Sequence, residues 1–158
     1  MSIGQAGDDP RLRAVRTGAE VAVFVTRRGG RDVLLVHRSP ERGGYWHVVA
    51  GGVEPGETAV DAAERELREE TGLAVQLTTG IEVTEYVSTL NTEPADRHEP
   101  SALAVGVTCF HAAAPDDWEP TLDWEHDGYR WCDSGEAAST LRWPGTANAL
   151  RQLVVDTA

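Results

Sequence analysis

Lysine is absent from the chain: all 14 basic residues are arginine, set against 26 aspartates and glutamates, for a formal net charge of -12 over 158 residues. Affinity for nucleic-acid phosphates comes chiefly from clustered Lys and Arg that displace counterions, and no long basic patch exists here, so the balance argues against nucleic acid as a partner class. No apolar run approaches the roughly 20 residues that a bilayer span needs, and the opening stretch MSIGQAGDDPRLRAVR lacks the apolar centre of a signal peptide. The expected compartment is therefore the cytoplasm, with no membrane partner. Cysteine is scarce as well: Cys109 and Cys132 are the only two and carry no CxxC spacing, which favours reduced structural thiols over a disulfide or a zinc site. Internal repeats and low-complexity segments are also missing.

What is present suits one ordinary domain. The apolar fraction is 41% and the charged fraction 25%, both near globular averages, so wholesale disorder is excluded. Residues 1–17 are polar and read as a loose tail, leaving 18–158 as a single domain. AEVAVFVTR and DVLLVHRS are short β-branched and aliphatic runs separated by RGGRD, the pattern of an antiparallel hairpin. YWHVVAG supplies a third strand. A helix is expected from Ala59 to Thr71, with Thr58 and Asp61 as its capping pair, Gly72 just past its end, and Val60, Ala63 and Leu67 along one apolar stripe. LAVQLTTGIEVTEYVSTL, SALAVGVTCFHAAA and DGYRWCD read as further strands, with NTEPADRHEP as an exposed loop, and SGEAASTL and GTANALRQLVVDT read as helices. Strands, helix, strands, helix implies a mixed sheet packed between helices, an α/β (α+β) domain.

Residues 51–72, GGVEPGETAVDAAERELREETG, crowd seven carboxylates into one glycine-rich turn and helix. Glu66, Glu69 and Glu70 stand at i, i+3 and i+4, so they are expected on one face with converging oxygens. Without a cation such a cluster repels itself and raises the proton affinity of at least one member; with Mg²⁺ or Mn²⁺ it becomes a site, because hard cations prefer oxygen ligands. Arg65 can orient Glu69 or Glu57, and the turn of Gly51, Gly52, Pro55 and Gly56 can bring backbone carbonyls near the same metals. A solvated helix face with i, i+4 ion pairs is the competing reading, and for an isolated REXXEE stretch it would prevail.

The wider spacing decides between them. From Gly51, five residues lead to Glu57, seven more to Arg65, Glu66 and Leu67, and then come Glu69, Glu70, Gly72 and Leu73. This resembles without departure the signature of the Nudix hydrolases, G-x5-E-x7-R-E-U-x-E-E-x-G-U with U aliphatic. The resemblance implies a Nudix fold, a mixed β-sheet sandwiched between α-helices, and a Mg²⁺- or Mn²⁺-dependent hydrolysis in which water attacks a phosphorus of a diphosphate. It implies Glu66, Glu69, Glu70 and the Gly51 (or Ala50) carbonyl as metal ligands, Glu66 or Glu69 as general base, and Glu57, Arg65 and Gly72 as supports. Flanking sequence, namely Trp46 before the motif, EHDGYRWCD and LRWPGTANALRQLV, resembles the dihydroneopterin triphosphate and dATP pyrophosphohydrolase branch. That adds Glu125 as a further ligand or base, and a nucleotide or pterin polyphosphate as the small-molecule partner. Ala50 departs from the proline often found just before the motif glycines.

Other substrates within the family are dinucleoside polyphosphates and ADP-ribose or other nucleotide sugars; a non-catalytic ligand-binding regulator of the same fold is the alternative class. Arg38 and Arg42 are candidates for terminal phosphates and Trp46 for stacking on a heterocycle, while Trp118, Trp124, Trp131 and Trp143 read as packing. His126 is a candidate either for proton transfer or for fixing a loop. Monomer and homodimer are both compatible with the sequence.

Overall fold

A computed structural model describes residues 19–78 and 80–154. The expected tail and the last residues of the expected terminal helix lie outside them. The strands are β1 (Ala19–Arg27), β2 (Asp32–Arg38), β3 (Trp46–His47), β4 (Val49–Gly52), β5 (Ile81–Ser88), β6 (Ala102–Ala113) and β7 (His126–Cys132). The α-helices among the described residues are α1 (Ala59–Thr71), α2 (Ser134–Thr140) and α3 (Pro144–Leu153), with a 3-10 turn at Pro40–Arg42.

One mixed sheet runs β3-β2-β1-β6-β5, with β4 paired to β1 and β7 to β2. β1 lies antiparallel to β2 and β4 and parallel to β6. Its unbroken apolar run follows from burial on both faces, as a central strand requires. Val21, Val23 and Val25 point to one face and join Ala62, Ala63 and Leu67 of α1; Ala22 and Phe24 point to the other and join Ala149, Leu150 and Trp143 beside α2 and α3. Period-two alternation in one strand therefore seeds both cores, and the sheet is sandwiched between helices as expected.

Several expected elements are shorter or divided. The third strand splits into β3 and β4, which pair with β2 and β1 respectively. Of the run expected from Leu73 to Leu90, only Ile81–Ser88 is strand. Leu73, Val75 and Leu77 keep the alternation because they pack on the α1 side of the sheet, without a ladder partner.

α1 has the caps its sequence predicts. Thr58 Oγ1 accepts from Asp61 N at 3.2 Å, Asp61 Oδ2 accepts from Thr58 N at 3.4 Å, and Gly72 adopts φ 81°, with its N–H donating to Arg68 O at 2.9 Å. Losing such an N-cap costs about 0.5–2 kcal/mol. The stripe is displaced from expectation: Val60 is 39% exposed, whereas Ala62 is fully buried. Glu70 belongs to the buried face. Seven residues separate it from Ala63, and a heptad turns an α-helix by only about 20° from alignment, so Glu70 projects almost where Ala63 does.

Both cysteines are free and buried, and burial raises Cys109 to about 12 and Cys132 to about 11. They are inert packing groups. Trp143 is also core, and Trp118 and Trp131 meet edge to face at 6.2 Å, with Arg27 over Trp131 at 4.1 Å.

Candidate active site

The loop from β4 to α1 and the helix itself bring the motif residues together. Arg65 is the hub: its Nε and Nη2 donate to Glu57 Oε2 and Oε1 at 2.8 and 2.9 Å, and Nη1 donates to Glu66 Oε1 at 2.7 Å. Nη2 also reaches the Gly52 carbonyl at 3.1 Å. A planar fork satisfies both oxygens of one carboxylate at once, which ties the loop to the helix with defined geometry. Hydrogen bonding from Arg65 holds Glu57 down to about 2, and that from Glu57 raises Arg65 above its usual range.

Gly51 forms the floor. A Cβ there would fall inside the carboxyl of Glu66 and 2.8 Å from its Cγ, so only glycine lets that side chain lie across β4. The Glu66 side chain is 13% exposed, and burial raises its proton affinity although Arg65 opposes the shift. Glu70 is deeper, 2% exposed, and is pushed well up by burial first and by the adjacent Glu66 carboxyl second. Neither Glu70 oxygen has a hydrogen-bond partner when both groups are ionised; a shared proton is what would let the two carboxyls bond to each other.

Convergence of three glutamates is not what the structure contains. Glu69 is 55% exposed, with Oε2 at 3.5 Å from Arg65 Nη1, and among the described residues no three His, Cys, Asp or Glu side chains stand together at metal-binding range. The reason is angular: residues 66, 69 and 70 span about 100° of the helix, and the apolar core takes the Glu70 end of that arc. Glu66 and Glu70 nevertheless fit a divalent cation, since the buried Glu70 carboxyl with its two orphan oxygens and the half-buried Glu66 carboxyl over a glycine floor form a hard, anionic donor set.

Of the remaining candidates, Arg38 acts on this pair. Arg38 is buried, its Nε donates to Arg42 O at 3.3 Å, and its charge acts on Glu70. Arg42 Nη2 reaches Glu125 Oε1 at 3.3 Å and its guanidinium lies 4.7 Å over Trp124. Trp124 is 72% exposed, unlike the other tryptophans expected to pack. Trp46 is partly buried, edge-on to His37 at 4.9 Å, under Arg130 at 5.1 Å. The sequence reading did not bring Asp123 and Tyr45 into the site. Tyr45 lies beneath Arg142 at 4.0 Å and Arg38 at 5.6 Å; isolated aromatic and aspartate residues carry no spacing signal that would have found them.

The NUDIX domain model matches residues 16–153. An octanoyltransferase of Myxococcus xanthus is 34% identical over 147 residues, taking in 92% of this chain but only 39% of that protein. A CTP pyrophosphohydrolase of Escherichia coli (strain K12) is 33% identical over 128 residues, covering 79% of this chain and 81% of that one. Among solved structures, that of the E. coli dihydroneopterin triphosphate pyrophosphohydrolase is similar with a TM-score of 0.70 and 28% identity, covering 87% of this chain and 94% of the other. This chain thus spans well under half of the octanoyltransferase and most of the other two. No helix of the described residues is long and apolar enough to cross a membrane.

Proposed function

The chain belongs to the Nudix family, and from that premise we propose that it is a pyrophosphohydrolase that cleaves a nucleoside or dihydroneopterin triphosphate to the monophosphate and pyrophosphate with Mg²⁺ or Mn²⁺. The observation that carries this reading is the Glu70 carboxyl, buried beside Glu66 with two oxygens that no donor satisfies. Burying uncompensated carboxylates is expensive, and a bound cation inverts that local balance. Glu66, Glu70 and a carbonyl of Gly51 or Ala50 would hold the metal, with Glu69 joining from its exposed position. Bound there, the cation supplies charge neutralisation at the diphosphate and acidifies water.

The protein's own groups account for the rest. Glu69, or Glu66, accepts the proton of the attacking water, whose oxygen forms a bond to the α-phosphorus as the bond from that phosphorus to the bridging oxygen breaks. The electron pair leaves on pyrophosphate. A positioned base contributes typically 10²–10⁴-fold. Glu125, held by Arg42, is a second proton acceptor at the rim, while Arg38 and Arg42 offer cationic donors to the terminal phosphates. The substrate class rests on likeness to proteins named for CTP and for dihydroneopterin triphosphate.

The test is pyrophosphate and phosphate release with Mg²⁺ or Mn²⁺ across dihydroneopterin triphosphate, nucleoside triphosphates, diadenosine polyphosphates and ADP-ribose. Metal-dependent pyrophosphate from a triphosphate supports the reading. Two nucleotide products from a dinucleotide, or silence from folded metal-bound protein, overturns the substrate assignment.

A further inference from the structure

We propose that Asp123 and His126, outside the motif, form a buried support that positions the Glu70 carboxylate for metal binding; this rests on the metal-site reading above. The His126 ring is fully enclosed, with a side-chain exposure of 0%. Its Nδ1 lies 2.8 Å from Asp123 Oδ1 and its Nε2 lies 3.4 Å from Glu70 Oε1. An ionised aspartate only accepts, so Nδ1 carries hydrogen toward Asp123, which fixes the ring plane and aims Nε2 at Glu70. Neither Nε2 nor either Glu70 oxygen has a hydrogen-bond partner, so Nε2 and Oε1 meet as a polar contact at 3.4 Å.

Chain architecture explains why a histidine reaches this depth from a strand at the sheet's margin. β2 and β7 pair Val36 with Tyr129 and His37 with Gly128, but Arg38 with His126, so Asp127 is an extra residue in the ladder. A bulge re-aims the flanking side chains. Asp127 turns outward to His37 Nδ1 at 2.6 Å, and His126 turns inward to Glu70. The turn before it is held by Ser39 N donating to Glu125 O at 2.9 Å and His126 N donating to Asp123 O at 3.3 Å. α1 and the β7 bulge are distant in sequence, and the Asp123–His126–Glu70 series is what joins them at the metal ligand. Groups of this kind fix ligand direction and typically change metal affinity 10–100-fold when removed.

The experiment titrates Mn²⁺ into the metal-free protein, reading free Mn²⁺ by electron paramagnetic resonance, for wild type, His126→Leu, His126→Gln, Asp123→Asn and Glu70→Gln. His126→Leu is expected to weaken Mn²⁺ binding about 10–100-fold, Asp123→Asn to weaken it in the same direction, and His126→Gln, whose amide reaches the Nε2 position, to recover much of the loss. Because the support acts through Glu70, adding His126→Leu to Glu70→Gln should weaken binding no further. A folded His126→Leu protein with wild-type Mn²⁺ affinity overturns the proposal; should that variant not fold, an unchanged affinity in Asp123→Asn overturns it instead. Glu70→Gln separates the two failures. If it weakens Mn²⁺ while the folded His126 and Asp123 variants do not, the support falls and the metal site stands; if it changes nothing, the metal site falls and takes the support with it.

Discussion

Replacing Glu70 by glutamine is expected to stabilise the metal-free protein and to remove most of its stabilisation by metal. Glu70 is 2% exposed, unsatisfied, and held well above the ordinary carboxylate value of 4.5 by burial and then by Glu66. In the window between 4.5 and the raised folded value, the folded state binds more protons than the unfolded one, so stability falls as pH rises and levels off above the folded value. Glutamine deletes the contribution of Glu70 to that slope. A buried unsatisfied group costs about 1–3 kcal/mol, more when charged, and each kcal/mol moves the melting point of a domain this size by about 2–4 °C. Metal-free Glu70→Gln should therefore melt about 2–12 °C above wild type near pH 8 and converge with it near pH 4. Metal works against that order, because a ligand at 100 times its Kd adds about 2.7 kcal/mol to the protein that binds it. Thermal melts in chelator and in Mg²⁺ at both pH values read all four states. Equal melting of the two proteins in chelator near pH 8, or equal gains from Mg²⁺, refutes the reasoning.

Gly51→Ala puts a methyl into the Glu66 carboxyl; overpacking of this kind costs about 1–3 kcal/mol, and thermal melts with Mg²⁺-dependent turnover should both fall. Arg65→Met removes the fork on Glu57. That carboxyl is depressed to about 2 from 4.5, so it contributes stability that is present above 4.5 and lost as pH falls through about 2; acid melts of the variant should lack that part of the slope. Trp124→Ala removes an aromatic face that is 72% exposed. Its melting point should hardly move, whereas KM for heterocycle-bearing triphosphates should rise by about 10-fold, the scale of one stacking contact, with KM for inorganic tripolyphosphate unchanged.

Local signals made much of the fold legible. β1 coincides with AEVAVFVTR and α1 with Ala59–Thr71, because a two-faced apolar run and paired caps are encoded in neighbouring residues. The division of YWHVVAG into β3 and β4 was not legible, since it depends on two different partners, β2 and β1. Within the site, the motif spacing identified Arg65, Glu57 and Gly51, whose contacts follow from one loop and one helix. The burial of Glu70 was legible in principle, from its seven-residue offset to Ala63, yet the apolar stripe drawn through Val60 hid it. Asp123 and His126 reach Glu70 only through a strand bulge across the sheet, and no spacing in the chain encodes that distance.

The lysine-free composition has a physical counterpart in how the arginines are held. Arg42 lies on Trp124, Arg130 on Trp46, and both Arg38 and Arg142 on Tyr45, at 4.7, 5.1, 5.6 and 4.0 Å. Three of these guanidinium groups also meet a carboxylate: Arg42 with Glu125 at 3.3 Å, Arg130 with Glu136 at 3.0 Å and Arg142 with Glu93 at 3.0 Å. Lysine supplies the charge but neither the planar stack nor the fork. Held between ring and carboxylate, these arginines have already lost much of the rotamer freedom that binding would otherwise remove. A net charge of -12 repels an approaching triphosphate, but beyond a Debye length of about 8 Å that repulsion is screened. Inside that distance Arg38, whose charge acts on Glu70, and the cation proposed at Glu66 and Glu70 would set the local sign. The acidic chain thereby discourages indiscriminate binding of polyanions over its surface, and the proposed cation would confine their binding to one place.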